Sequence, residues 1–177
     1  MNGFWGRILL VDLSIKRCSI RMVKEEFFKK YLGGVGVAAK LIFEEVDPKV
    51  DPLSPDNIIV FSVGPFQGTS VPGSGRWIVA AKSPLTNIWG ESCAGGSWGY
   101  HFKRSGFDAL AIRGMAEKPT YLWICDGEVE FRDASDVWGK PTSEAQSMIK
   151  RDLGERNASV LCIGPGGENL VKFACIT

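Results

Sequence analysis

Apolar and polar positions change their period repeatedly along the chain, and each change marks an element. Residues 7–12 and 17–22 are strand-like runs on either side of Leu13-Ser14-Ile15-Lys16, the pattern of a β-hairpin. Residues 25–32 follow as a short helix closed at Gly33-Gly34. Residues 37–46 carry small and apolar side chains at helical spacing and stop before Asp47-Pro48. Residues 58–63 form a continuous apolar strand ended by Gly64-Pro65, and residues 76–81 form the next. The run Lys82-Ser83-Pro84-Leu85-Thr86-Asn87 has turn chemistry.

The second half is read in the same way. Residues 97–104 predict a short helix with Gly95-Gly96 at its start and Lys103-Arg104 at its end, where cations suit the helix dipole. Residues 109–113, 120–125 and 129–132 predict strands, the last two joined by a tight turn at Asp126-Gly127. Ser143-x-x-Gln146 predicts a capping box opening a helix to Leu153, with Ala145, Met148, Ile149 and Leu153 on one face and Gly154 at the end. Strands are predicted over 159–163 and 171–176, around Gly164-Pro165-Gly166-Gly167.

The order hairpin, helix, strand, Gly-Pro loop, strand thus occurs twice, and residues 59–65 line up with residues 159–165. The expected fold is α+β: two β-sheets with short helices, related by a pseudo-twofold internal duplication, with two similar loops facing one region of space. The chain ends at Thr177, where the second half's counterpart of Arg76 and of the 93–99 loop would begin. The expectation is therefore one domain over 1–177, a fragment of a longer polypeptide.

Composition narrows the function classes. The chain has 177 residues, 45% of them hydrophobic and 23% charged, with a net charge of +1. It carries no basic stripe of the kind that binds nucleic acid. No apolar run approaches the ~18 residues of a membrane span, and the first residues lack a signal-peptide pattern, so a cytoplasmic location is expected. The five cysteines include no CxxC pair, so no zinc ribbon or cluster-binding run is encoded. Cys125, Cys162 and Cys175 fall in apolar runs and are expected as buried small hydrophobes.

The candidate chemistry lies in glycine-rich loops. Residues 64–76 run between two apolar strands and end in Gly-Ser-Gly before Arg76. An arginine there can hold a phosphate through two parallel hydrogen bonds, or be an ordinary surface residue at a strand start. Cys93-Ala94-Gly95-Gly96 precedes a helix. Its glycines can offer free N–H groups and let a flat ligand approach closely, or make a plain turn. Neither GxGxxG nor a P-loop is present. Cys93 sits outside any predicted strand, and His101, the only histidine, reads as a satisfied structural residue. No carboxylate pair suits acid–base work, so no catalytic residue and no metal ligand is assigned.

Taken jointly, a set of short motifs carries a family resemblance. They are Gly6-Arg7-x-x-x-Val11-Asp12-Leu13-Ser14, Leu32-Gly33-Gly34-x-Gly36, Asp51-Pro52-Leu53-Ser54-Pro55-x-Asn57, Gly64-Pro65-x-x-Gly68-Thr69 and Gly75-Arg76. Lys82-Ser83-Pro84-Leu85-Thr86, Gly95-Gly96, Gly106-x-Asp108, Arg132-Asp133-Ala134-Ser135 and Ile163-Gly164-Pro165-x-Gly167-Glu168-Asn169 continue it. Along essentially the whole chain the sequence resembles the N-terminal domain of the tungsten-containing aldehyde ferredoxin oxidoreductases.

The resemblance implies a tungsten (or molybdenum) bis-pterin enzyme with one 4Fe-4S cluster, oxidising aldehydes to carboxylic acids with ferredoxin as electron acceptor. This domain would be the base on which the pterins sit. Arg76 matches the family arginine beside the pterin phosphates, and Cys93, Ala94, Gly95 and Gly96 match the pterin-binding loop. The family often has Asn-Ser-Gly-Gly there, so backbone contacts carry over and a contact through the asparagine side chain is put in doubt. Cluster cysteines, a second phosphate-binding segment and the acid–base residues would lie beyond Thr177, in C-terminal domains of the same polypeptide. The domain alone is then expected to be inactive, with apolar surface that favours self-association into a homo-oligomer. Two alternatives share these residues: a related tungsten enzyme such as a benzoyl-CoA reductase subunit, and a stand-alone pterin-binding module without redox activity.

Overall fold

The computed structural model describes residues 3–177. Among these, six strands form one sheet in the order β2-β1-β6-β3-β4-β5, and two more form a separate hairpin. β1 (Arg7–Asp12) pairs antiparallel with β2 (Arg17–Met22) and parallel with β6 (Ala109–Arg113). β3 (Ile58–Ser62) lies antiparallel between β6 and β4 (Trp77–Lys82), and β4 pairs with the edge strand β5 (Trp89–Ala94).

The period of two in these strands sorts their side chains to two faces. Ile8, Ile58, Val60, Ala80, Ala109 and Ala111 turn to one face, beneath α1 (Glu25–Tyr31) and α2 (Gly34–Glu45). Leu9, Val11, Phe61, Trp77 and Leu110 turn to the other. That face is covered by α3 (Trp98–Arg104) and by the hairpin of β7 (Thr120–Cys125) and β8 (Glu128–Asp133). The sheet is thus buried on both sides, and α3 reaches the core directly from the turn that follows β5.

Several element boundaries depart from the sequence expectation. β5 was not expected, because Trp-Gly-Glu-Ser-Cys-Ala has no apolar alternation; as an edge strand it is exposed or half-buried throughout. Cys93 therefore lies in a strand, paired with Ile78. α1 ends with Leu32 itself in the left-handed region, and α2 opens already at Gly34. A methyl at Gly36 would come within 2.2 Å of Tyr31 O, so glycine permits the close approach of the two helices. α4 (Thr142–Leu153) follows Pro141 with no side-chain cap. Ser143 lies inside the helix, where its carbonyl accepts from Ser147 Oγ at 2.8 Å, so the expected capping box does not form.

Of the order expected in the second half, the structure has the hairpin β7–β8 followed by α4. Residues 159–163 and 171–176 are not in strands. They meet where Cys162 and Thr177 exchange both backbone hydrogen bonds, at 2.9 and 3.0 Å. Between them Gly164–Glu168 forms one helical turn, α5, with Pro165 in its first turn, a position that suits a residue without an N–H. The cysteines are also corrected. Leu122 and Ile124 of β7 face the core, so the alternation turns Cys125 outward. Cys175 is exposed and Cys162 half-buried.

Candidate functional site

The β4–β5 ladder brings the two glycine-rich loops together. Trp77 pairs with Ala94 and Ile78 with Cys93, so the 64–76 loop enters β4 beside the point where the 93–96 loop leaves β5. Arg76 Nη1 donates to Cys93 Sγ at 3.7 Å, and both residues are exposed. Arg76 takes part in none of the ion pairs among the described residues. Trp77 is 2% exposed and its indole N–H donates to Gly95 O at 3.0 Å, which ties the second loop to the core.

The backbone between these residues is bare. A methyl built at Gly64, Gly73, Gly95 or Gly96 would meet nothing within 4 Å. A methyl at Gly75 would make ordinary contact with Gly96 O, at 3.9 Å, so the two loops lie side by side. Gly96 has a φ of +80°, which favours glycine. Of the five residues expected at a cofactor site, Arg76, Cys93, Gly95 and Gly96 are exposed at adjacent strand ends, whereas Ala94 between them turns its side chain to the core. A guanidinium outside the ion pairs, beside uncovered peptide groups, suits a flat, phosphate-bearing ligand.

Other side chains fall differently. His101 is exposed, with Tyr100 edge-on at 5.4 Å between ring centroids, so it is not the satisfied structural residue expected. It shares a 310 Å³ cleft with Cys125 and Asp126. Burial, with Asp126, Glu155 and Glu128 nearby, pushes the Cys125 thiol up. Among the described residues no group of three or more His, Cys, Asp or Glu side chains is placed to hold a metal ion. Nor is any helix among the described residues long and apolar enough to cross a membrane.

Lys103 lies in the last turn of α3, as expected, and is 5% exposed and bound to Asp108, which is 1% exposed. Burial pushes the Lys103 ammonium below its ordinary value, and the Asp108 carboxylate works against that. Its stem supports the 64–76 loop: a methyl at Gly68 would stand 3.1 Å from Lys103 Cγ. Gln67, 3% exposed, was passed over as well. Nothing in a single sequence separates such buried polar residues from solvated ones, apart from the short Gly106-x-Asp108 motif that contains Asp108.

With this geometry in place, comparison with known proteins is informative. Residues 8–177 match the family profile described as "Aldehyde ferredoxin oxidoreductase, N-terminal domain". A tungsten-containing aldehyde ferredoxin oxidoreductase of Pyrococcus furiosus is 46% identical over 176 residues, covering 99% of this chain and 29% of that protein. The protein of the same description from Thermococcus kodakarensis is also 46% identical, with the same coverage. Among solved structures, the active site complex BamBC of benzoyl coenzyme A reductase, bound to 1,5-dienoyl-CoA, is similar with a TM-score of 0.97 and 37% identity. That match covers 99% of this chain and 27% of the other. The chain therefore spans less than a third of the length of the relatives it matches.

Proposed function

Because the chain belongs to the aldehyde ferredoxin oxidoreductase family, as its N-terminal domain, we propose that it cradles a tungsten bis-pterin cofactor in a larger aldehyde-oxidising enzyme. When bound, that group would supply the two-electron redox chemistry of the reaction. The observation that carries the reading is the uncovered backbone of Gly95-Gly96 beside Arg76. Arg76 would grip a pterin phosphate, and Cys93, Ala94, Gly95 and Gly96 would accept the flat ligand through peptide groups. Trp77 would hold Gly95 in register beneath it. Since the residue at position 93 is cysteine, recognition there runs through the backbone.

The remaining parts of the reaction belong to the rest of the polypeptide: a 4Fe-4S cluster, the aldehyde pocket and the ferredoxin contact. The testing experiment is Arg76→Ala in the enzyme that carries this domain, with tungsten and phosphate measured per polypeptide. Loss of both supports the reading, and full retention of both contradicts it. A second reading, a ring-reducing enzyme subunit, is favoured by the likeness to the benzoyl coenzyme A reductase complex. Assays with an aldehyde and with an aromatic thioester separate the two.

A further inference from the structure

Gln67 ties the first loop to α3. It lies in the loop after β3 with 3% of its surface exposed. Its Oε1 accepts from the N–H of Gly64 at 3.0 Å. That bond fixes which end of the amide is oxygen and turns Nε2 the opposite way. There Nε2 lies against Gly99 of α3: a methyl at Gly99 would come within 2.1 Å of Nε2 and 3.1 Å of Trp77 Cβ. Gly99 is the point at which the first loop, β4 and α3 meet. Trp77 carries the connection onward through its bond to Gly95 O.

The wedge also has an unusual chemistry. Nε2 is buried and has no acceptor among the described residues. A buried donor without a partner is unfavourable, and an apolar side chain of the same shape would avoid that penalty. The amide is explained by its other end, the bond that sets Gly64. We propose that Gln67 is a positioning residue. Wedged between Gly64 and Gly99, it sets the distance of the 64–76 loop from the 93–96 loop and so the width of the cradle. The proposal rests on the reading that these loops hold the cofactor.

The test uses the holoenzyme that carries this domain, with Gln67→Met, Gln67→Ala, Gly99→Ala and the double variant Gln67→Ala/Gly99→Ala. Tungsten per polypeptide is measured after gel filtration, together with the unfolding midpoint of the cofactor-free form. Gly99→Ala drives Nε2 from its seat, whereas Gln67→Ala removes the closest group the new methyl would strike and leaves Trp77 Cδ1, at 3.0 Å, to give by a few tenths of an ångström. Expected is an about tenfold fall in tungsten for each single variant, with the double variant no worse than either single one. Gln67→Met, which fills the volume without the amide, should show the same fall at an unchanged unfolding midpoint. Losses that add in the double variant, or that follow the unfolding midpoint, overturn the proposal. Arg76→Ala serves as reference. Loss there with full tungsten in Gln67→Met overturns the wedge alone, and full tungsten in both removes the loops from the site altogether.

Discussion

Lys103 Nζ lies 2.5 Å from Asp108 Oδ1, with the two side chains 6% and 1% exposed. The same carboxylate accepts from the backbone N–H of Trp5 at 2.9 Å, Gly6 at 2.8 Å and Arg7 at 3.2 Å. Asp108 therefore anchors the segment leading into β1, and Lys103 links that anchor to the 64–76 loop through Gly68. Removing one member of a buried pair leaves the other charge uncompensated, at a cost of about 3–5 kcal/mol. Asp108→Asn is expected to lower stability by that amount in urea unfolding. Combining it with Lys103→Met should cost less than the sum of the two single changes.

The pair also predicts a pH dependence. Burial holds the Lys103 pKa below its unfolded value, the Asp108 interaction offsetting part of the shift. In the window between the two values the unfolded state binds more protons, so stability rises with pH there. The penalty for burying the ammonium is full below the folded pKa and shrinks as pH rises toward the unfolded value of about 10.4. The stability of the parent relative to Lys103→Met should therefore increase across the alkaline range. Unfolding curves of both proteins at a series of alkaline pH values measure it, and a flat or falling difference contradicts it.

Much of this was legible in the sequence, for physical reasons that also explain the gaps. β1, β6 and β7 were recovered with their observed ends because Ile8-Leu9, Leu110 and Leu122 mark faces that must be buried, and β2, an exposed edge strand, because the turn at residues 13–16 sets it as the second arm of a hairpin. The Asp126-Gly127 turn was legible because both residues must take positive φ, observed at +49° and +86°. β5 was hidden because an edge strand needs no apolar face. Arg76 and Gly95 were legible by residue type and family pattern, but their juxtaposition depends on the register of Trp77 with Ala94. Gln67, Lys82, Lys103 and Asp108 could not be read as buried, since burial of a polar side chain depends on partners far away in the chain.

Lys82 illustrates the last point with its own test. It is 9% exposed and donates through Nζ to Pro48 O and Val50 O, both at 2.7 Å. Asn57 Nδ2 adds bonds to Pro52 O at 2.8 Å and Lys82 O at 3.0 Å, so the loop after α2 is fastened to β4 from both sides. Lys82→Met keeps the stem and removes both charge-assisted bonds. A loss of roughly 2–4 kcal/mol is expected. Faster proteolytic cleavage within residues 47–56 should accompany it, and limited digestion followed by mass spectrometry locates the cut.

Gly95 and Gly96 separate stability from ligand binding. Gly95 lies outside the left-handed region, and a methyl there would touch nothing within 4 Å. Gly95→Ala should then leave the fold within about 1 kcal/mol of the parent, because the loss of chain entropy in the unfolded state favours alanine slightly. Gly96 has an equally open surface but a φ of +80°, so Gly96→Ala adds backbone strain of about 1–2 kcal/mol. If the uncovered backbone is the cradle, the new methyl at either position occupies space that the flat ligand needs. Both variants should lose tungsten in the holoenzyme, while only Gly96→Ala lowers the unfolding midpoint of the cofactor-free form. Full tungsten in Gly95→Ala would place the ligand elsewhere, because that substitution changes little except the surface offered to it.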